Sequence, residues 1–269
     1  MTNTFYPERI ASGLGPYAGK IAVEVVEQTA STNTDLLRRV HALSSPTCLL
    51  AVRQTAGRGR NGREWQSGDG TSLTFSLAWF FSRPESDLGG LSLVTGVALA
   101  QALHGLGVPV TLKWPNDILR EGKKLAGILI ERPTGGNRAK TGENRAVIGV
   151  GLNLLLPEEL EARIGQPAAE ARWLAGMDKN DLMAALLNKL AESFVSFDRQ
   201  GLTAFIQPWN ALHAYNERQV TLLRDGQPQQ SGRVIGIDAH GRLMLETEAG
   251  NAVFSAGDIS LRVFDEQGE

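Results

Sequence analysis

Gln54-Thr-Ala-Gly-Arg-Gly-Arg-Asn-Gly-Arg-Glu-Trp65 is preceded by a strand-like run within Ala42 to Val52, Cys48-Leu-Leu-Ala-Val52, and followed by Ser72-Leu-Thr-Phe-Ser-Leu-Ala-Trp-Phe-Phe81. The flanking runs are β-branched, aromatic and apolar, which predicts two strands of a packed core. The segment between them places three glycines and three arginines in the seven positions from Gly57 to Arg63. Glycines at 57, 59 and 62 permit positive φ and close approach of the backbone to a ligand. Arg58, Arg60 and Arg63 carry permanently charged forks that suit phosphate or carboxylate. The stretch therefore predicts an anion-binding loop between two strands, mobile when empty, rather than a solvated basic turn or an RGG-like tail. Trp65 closes it with an aromatic plane that can stack on a base or cap the core.

Composition narrows the alternatives. The 269 residues suffice for a large domain plus a small one. A formal net charge of -2 gives no global attraction to nucleic acid, so a basic site has to be local. The single cysteine, Cys48, excludes an internal disulfide and points to a reducing compartment. The first residues have neither a basic n-region nor an apolar h-region, so no secretory signal is expected and a cytoplasmic location is. Leu88 to Leu112 contains no Asp, Glu, Lys or Arg, but five glycines, Gln101, His104 and Pro109 interrupt it. The spacing of Leu93, Val97, Ala100 and His104 predicts a core helix over 92–106.

Outward from the loop, residues 1–20 read as an arm, in which Ile10 to Leu14 can form a helical turn ending at Gly15-Pro16, and Ile21 to Val26 reads as a strand. Gln28-Thr-Ala-Ser-Thr-Asn33 precedes Leu36, Leu37, Val40 and Leu43 at helical spacing, so Ser31 or Thr32 stands at an N-cap. Capping alone explains such a residue; a polar ligand lined by hydroxyls at a helix N-terminus is the other reading. Val108 to Lys113 reads as a strand ending in Trp114-Pro-Asn-Asp117, a turn with a cation and an aromatic at its mouth. Glu121-Gly-Lys-Lys-Leu-Ala-Gly127 turns back into Ile128-Leu-Ile-Glu131, with Lys123 or Lys124 facing inward and Gly127 marking a close approach. Pro133 to Arg145 reads as a loop with little order. Ala146 to Leu156 is a buried strand broken by Gly149 and Gly151, with Asn153 its polar exception. It lacks the third glycine and opening helix of a dinucleotide fingerprint. Residues 157–215 are helical, with Asn180 as a cap and Trp173, Phe197, Phe205 and Trp209 as core. Short strands at 220–223, 232–237, 242–246, 252–254 and 259–262, separated by Asp225-Gly226, Asp238-Ala-His-Gly241 and Ala249-Gly250-Asn251, predict a small barrel. The expected boundary divides residues 1–216 from 217–269.

Ser31-Thr-Asn33, Gly57-Arg-Gly-Arg-x-Gly-Arg-x-Trp65, Lys113-Trp-Pro-Asn-Asp117, Lys124-Leu-Ala-Gly-Ile-Leu129 and Gly149-x-Gly-x-Asn153, in that order, resemble the biotin-protein ligases along the whole chain. Gly257-Asp-Ile-Ser-Leu-Arg262 resembles the end of their C-terminal barrel. The resemblance implies an α+β fold, with a mixed sheet flanked by helices of the class II synthetase-like, biotin/lipoate ligase type, and a small SH3-like barrel. It implies that biotin and ATP, with magnesium carried mainly on the phosphates, give biotinyl-5′-adenylate, whose acyl group passes to a lysine of a biotin carboxyl carrier domain. Ser31, Thr32 and Gln54 resemble residues that bond the ureido ring, with Asn33, Gly59, Gly127 and Gly151 beside the biotin. Arg58 and Arg60 resemble those ordering over the carboxylate and the adenylate phosphate, and Lys124 the lysine between carboxylate and α-phosphate. Trp65 resembles the aromatic near adenine, with Arg63, Asn116 and Asn153 on the nucleotide side, and Asp117 is the candidate for orienting or deprotonating the acceptor lysine. Many members carry a helix-turn-helix domain of some sixty residues before the catalytic part. Here about twenty precede the first strand, so operator binding is not expected. Family members dimerise by different routes, which leaves monomer and homodimer both open. The rival readings are a lipoate ligase or octanoyltransferase on the same architecture, and an RNA-binding module.

Overall fold

The computed structural model describes residues 4–68, 70–133, 143–164, 167–224, 227–256 and 259–263. In chain order its elements are α1 (Pro7–Ser12), β1 (Ala22–Thr29), α2 (Thr32–Arg39), β2 (Thr47–Gln54), β3 (Ser72–Phe81), α3 (Leu91–Gly105), β4 (Thr111–Lys113), β5 (Asp117–Arg120), β6 (Lys123–Glu131) and β7 (Asn144–Asn153). There follow α4 (Glu158–Ile164), α5 (Lys179–Gln200), α6 (Thr203–Leu212), β8 (Gln219–Arg224), β9 (Gln227–Ile237), β10 (Leu243–Thr247), β11 (Gly250–Phe254) and β12 (Ile259–Val263). The expected α+β architecture holds. Seven strands form one sheet in the order β1-β2-β3-β7-β6-β5-β4, parallel between β1 and β2 and antiparallel elsewhere.

Period-two alternation gives this sheet two different faces. Cys48 and Leu50 of β2, Leu73, Phe75 and Leu77 of β3, and Ile148, Val150 and Leu152 of β7 enter the large core. Leu49, Ala78 and Val147 face the other way and pack with Leu36 of α2 and Val40 just after it. Glycines and short polar residues continue this second face, and the cavity opens there. On the first face α3 is buried nearly all round, which its uniformly apolar sequence allows. The stretch Glu85–Gly105 is long and apolar enough to cross a membrane, but its most apolar window is 72% buried inside the protein, as a core helix would be.

Several local expectations differ from the structure. The helical turn read at Ile10 to Leu14 starts earlier, as α1 over Pro7–Ser12, and Ile10 and Leu14 are fully buried. The N-cap of α5 is Asp178, whose Oδ1 accepts from the backbone N–H groups of Asn180 and Asp181 at 2.9 and 3.3 Å. Asn180 instead ties down the arm, accepting from Tyr6 N at 2.7 Å and donating to Thr4 O at 3.3 Å. Trp173 is not core: it is 40% exposed and stacks on the Arg120 guanidinium at 4.3 Å. Asp117 opens β5 rather than ending a turn. The Asp225-Gly226 turn, the Gly257-Asp258 step and residues 134–142 of the expected loop lie outside the described residues.

The C-terminal strands form an antiparallel sheet in the order β11-β10-β9-β8-β12, the small SH3-like unit, with no ladder joining β11 to β12 among the described residues. It shares the large core through Val220, Leu222, Val234 and Leu245. Trp114 Nε1 donates to Gly241 O at 3.1 Å and Ile237 N to Asn210 Oδ1 at 3.1 Å, which fixes the unit against the large sheet and α6.

His213 sits at this junction, stacked on Trp209 at 4.5 Å, and neither ring nitrogen has a hydrogen-bond partner. Burial lowers its pKa to about 4. The unfolded chain, with a value near ~6.5, takes up the proton first as pH falls, so this contribution is complete above about 6.5 and is lost toward about 4. Lowering pH from 7.5 to 5 should cost about 2 kcal/mol through this group. Urea midpoints at the two pH values should converge in His213→Phe; an unchanged difference would assign the effect elsewhere.

Candidate active site

The register of three strands builds the floor. Gly151 of β7 pairs with Gly127 of β6 on one side and Thr74 of β3 on the other, and Gly149 pairs with Leu129 and Ser76. Three glycines thus fall together on the α2 face and leave a trough without side chains. Other groups enter it: a Cβ on Gly151 would lie 2.2 Å from Trp65 Cε2, and one on Gly149 2.3 Å from Asn33 Oδ1. The floor belongs to a 720 Å³ cavity lined by Ser31, Thr32, Asn33, Gln54, Arg58, Gly59, Arg60, Arg63, Trp65, Asn116, Asp117, Lys124, Gly127, Gly151 and Asn153. Every residue singled out in the sequence as a site candidate is therefore brought to one place.

One end of the cavity is polar and uncharged. Ser31 is the N-cap of α2, its Oγ accepting from Thr34 N at 3.5 Å, so the capping and lining readings hold together. Thr32 N donates to Gln54 Oε1 at 2.8 Å, and Thr32 Oγ1 lies 2.7 Å from Ser76 Oγ. Ser76 donates to Asn33 Oδ1 at 2.5 Å. Ser76 went unnoticed in the sequence, where it is one alternating residue of an apolar strand.

The other end is cationic. A bulge between β5 and β6 makes it so: Asp117 pairs with Gly127 and Ile118 with Ala126, but Leu119 then pairs with Lys124, leaving Leu125 unmatched. Leu125 and Ala126 both enter the core, which reverses the alternation and turns Lys124 to the Gly127 side. Lys124 Nζ is 2.7 Å from Asp117 Oδ1 and 5.9 Å from the centre of the Trp65 ring. Lys123 is exposed.

The arginine loop lies across these parts. Trp65 N donates to Gly57 O at 2.9 Å and Gly59 N to Arg63 O at 2.7 Å, closing the loop on itself. Positive φ is taken by Asn61 and Gly62, at 55° and 71°. Gly57 and Gly59 are not in that region. Gly57 serves close approach instead, since a Cβ there would be 2.5 Å from Trp65 O. Arg58 is paired with Glu131 at 2.7 Å and donates to Thr34 Oγ1 at 3.2 Å. Arg60 donates to Asn116 Oδ1 at 3.1 Å and reaches Ala256 O of the C-terminal unit at 3.5 Å. Trp65 Nε1 and Asn153 Oδ1 in the lining are among the buried polar atoms without a hydrogen-bond partner. Buried groups in that state are costly unless something supplies the partner.

Residues 25–153 match the model of the biotin/lipoate A/B protein ligase family, and residues 217–262 that of the biotin protein ligase C-terminal domain. The chain is 35% identical over 249 residues to the bifunctional ligase/repressor BirA of Escherichia coli, covering 90% of this chain and 74% of that one. It is 33% identical over 257 residues to the biotin–[acetyl-CoA-carboxylase] ligase of Mycobacterium tuberculosis, covering 91% of each. Among solved structures, it is similar to the Aquifex aeolicus biotin protein ligase in complex with biotin and ATP, with a TM-score of 0.74, 28% identity and coverage of 90% and 98%.

Proposed function

The chain belongs to the biotin/lipoate A/B protein ligase family, as a biotin protein ligase, and on that premise we propose how its cavity performs the reaction. Biotin is activated by ATP to biotinyl-5′-adenylate and then transferred to a lysine of a carboxylase carrier domain. The observation that supports this most directly is the pairing of a neutral polar corner with a cationic end over one glycine floor. That arrangement suits a ligand with a ureido head and a carboxylate tail.

In the first step a carboxylate oxygen of biotin attacks the α-phosphorus, the bond to the bridging oxygen breaks and pyrophosphate leaves. Two anions must meet, so the reaction needs positive charge placed in advance. Lys124, Arg58 and Arg60 are the residues proposed to supply it, with Asp117 orienting Lys124 through their ion pair. Ser31, Thr32 and Gln54 hold the ureido ring, and Trp65, Arg63, Asn116 and Asn153 take the nucleotide. The unpartnered Trp65 Nε1 and Asn153 Oδ1 support the nucleotide assignment. Among the described residues no three His, Cys, Asp or Glu side chains gather to hold a metal. Magnesium is proposed to enter with the nucleotide substrate, neutralising its phosphates. In the second step an acceptor lysine, with an unperturbed pKa near ~10.4, loses a proton and attacks the acyl carbon, and AMP leaves. Asp117 is the residue proposed to assist that proton loss. The arginine loop keeps water from the adenylate.

A cytoplasmic setting and a division at residues 216/217 complete the reading, the latter supported by the span of the C-terminal family match. Pyrophosphate release with ATP and magnesium, compared for biotin, lipoate and octanoate, tests the substrate. Biotin should be preferred by at least about a hundredfold, because a site built to bond N–H and C=O groups rejects ligands that lack them. Preference for lipoate would keep the fold and remove the substrate assignment.

A further inference from the structure

A chain of hydrogen bonds runs from Gln54 to Arg58 beneath the cavity, and it has a direction. Glu131 joins its last two members, Asn33 and Arg58. One carboxylate oxygen accepts from Asn33 Nδ2 at 3.0 Å, and the other from Arg58 at 2.7 Å. A carboxylate only accepts, and Leu129 O, 3.4 Å from the same Nδ2, only accepts as well. The Asn33 amide therefore has one orientation, with Nδ2 toward Glu131 and Oδ1 toward Ser76. Asn33 is 3% exposed and Ser76 fully buried, so water does not scramble this arrangement.

The consequence passes along the chain. Ser76 has one proton and gives it to Asn33 Oδ1 at 2.5 Å. Thr32 Oγ1, 2.7 Å away, must then donate to Ser76. Gln54 Oε1 is farther from that hydroxyl, at 3.1 Å, and already receives Thr32 N–H at 2.8 Å. With its proton committed, Thr32 Oγ1 presents only lone pairs to the cavity it lines.

We propose that Glu131 is a positioning residue that fixes the donor–acceptor polarity of the ureido corner, making Thr32 an obligate acceptor for a ligand N–H while anchoring Arg58 of the loop with its second oxygen. It touches no reacting atom. The proposal rests on the ligase reading given above and adds to it a residue, and a partner in Ser76, that set which ligand group is accepted.

The test uses the whole protein and calorimetric binding of biotin and of both cyclic carbamate analogues in which a ring oxygen replaces one ureido N–H. Glu131→Gln keeps size but can face Asn33 with either end, so the amide loses its fixed orientation. Its preference for biotin over the analogue wild type rejects more strongly should fall about tenfold, the scale of one buried hydrogen bond. Ser76→Ala should lower that preference similarly, and the double variant should lose no more than the worse single one. A folded Glu131→Gln, judged by thermal unfolding, with selectivity within twofold of wild type would overturn the proposal, as would additive losses in the double variant. Failure of wild type to bind biotin would remove the ligase reading and this one together, whereas a failure confined to the variants removes only this one.

Discussion

In Lys124→Ala, biotin-dependent pyrophosphate release is expected to fall by about 10²–10³-fold in kcat, the range seen when one preorganised charge-stabilising group is removed. The argument is electrostatic. Carboxylate and α-phosphate repel until a cation stands between them, and in a partly enclosed cavity that cation is worth more than in water. Lys124 Nζ is already held by Asp117 at 2.7 Å, so little reorganisation is needed when the substrates arrive. The adjacent Lys123 is the internal control. It is exposed, and Lys123→Ala should stay within about threefold of wild type, as substitutions on a free surface do. Single-turnover release of labelled pyrophosphate measures both. Equal losses in the two variants would mean that the bulge does not select between them, and no loss in Lys124→Ala would take this lysine out of the first step.

The same bulge shows where sequence reading reached its limit. Counting back by twos from Gly127 puts Lys123 on the cavity side and Lys124 in the core, the reverse of what the structure has. Only the unmatched Leu125 corrects the count, and nothing in Lys-Lys-Leu-Ala-Gly signals a bulge locally. Motif resemblance picked the lysine that lines the cavity, for a reason that periodicity could not supply. The strands themselves were readable because one face is continuously apolar: β3 falls at the expected 72–81, and β2 and α3 within a few residues. Polar groups whose partners are distant in sequence were not. Glu131 ends the Ile128-Leu-Ile-Glu131 run with no role assigned to it in the sequence, yet it meets residues from two other parts of the chain. Trp173 looked like core because it is large, and its exposure follows from the Arg120 guanidinium offering it a face. Asp178 out-competed Asn180 for the cap because its carboxylate reaches two backbone donors at once.

The glycine floor carries the other large expected effect. Gly149→Ala and Gly151→Ala should each lower kcat/KM for biotin activation by about a hundredfold, the cost of moving a positioning group by roughly an ångström. The two differ in what must move. At Gly149 the new methyl would meet Asn33 Oδ1 at 2.3 Å and Cγ at 2.9 Å, and Asn33 is held by Ser76 and Glu131. It cannot yield without breaking the ureido corner, so the loss should show as weaker biotin binding. At Gly151 the obstacle is the Trp65 indole, with three ring atoms within 2.6 Å of the new carbon. That ring ends a loop and can swing away, so the loss should show in the ATP-dependent step, with a shift in tryptophan emission. Gly127→Ala meets nothing closer than 3.2 Å and should be the mildest of the three. A double-variant cycle decides the cause: in a Trp65→Ala background, Gly151→Ala should add less than about threefold, because the clash has already been removed. A full hundredfold added in that background would show that the glycine serves the ligand directly, making room for it rather than for the tryptophan.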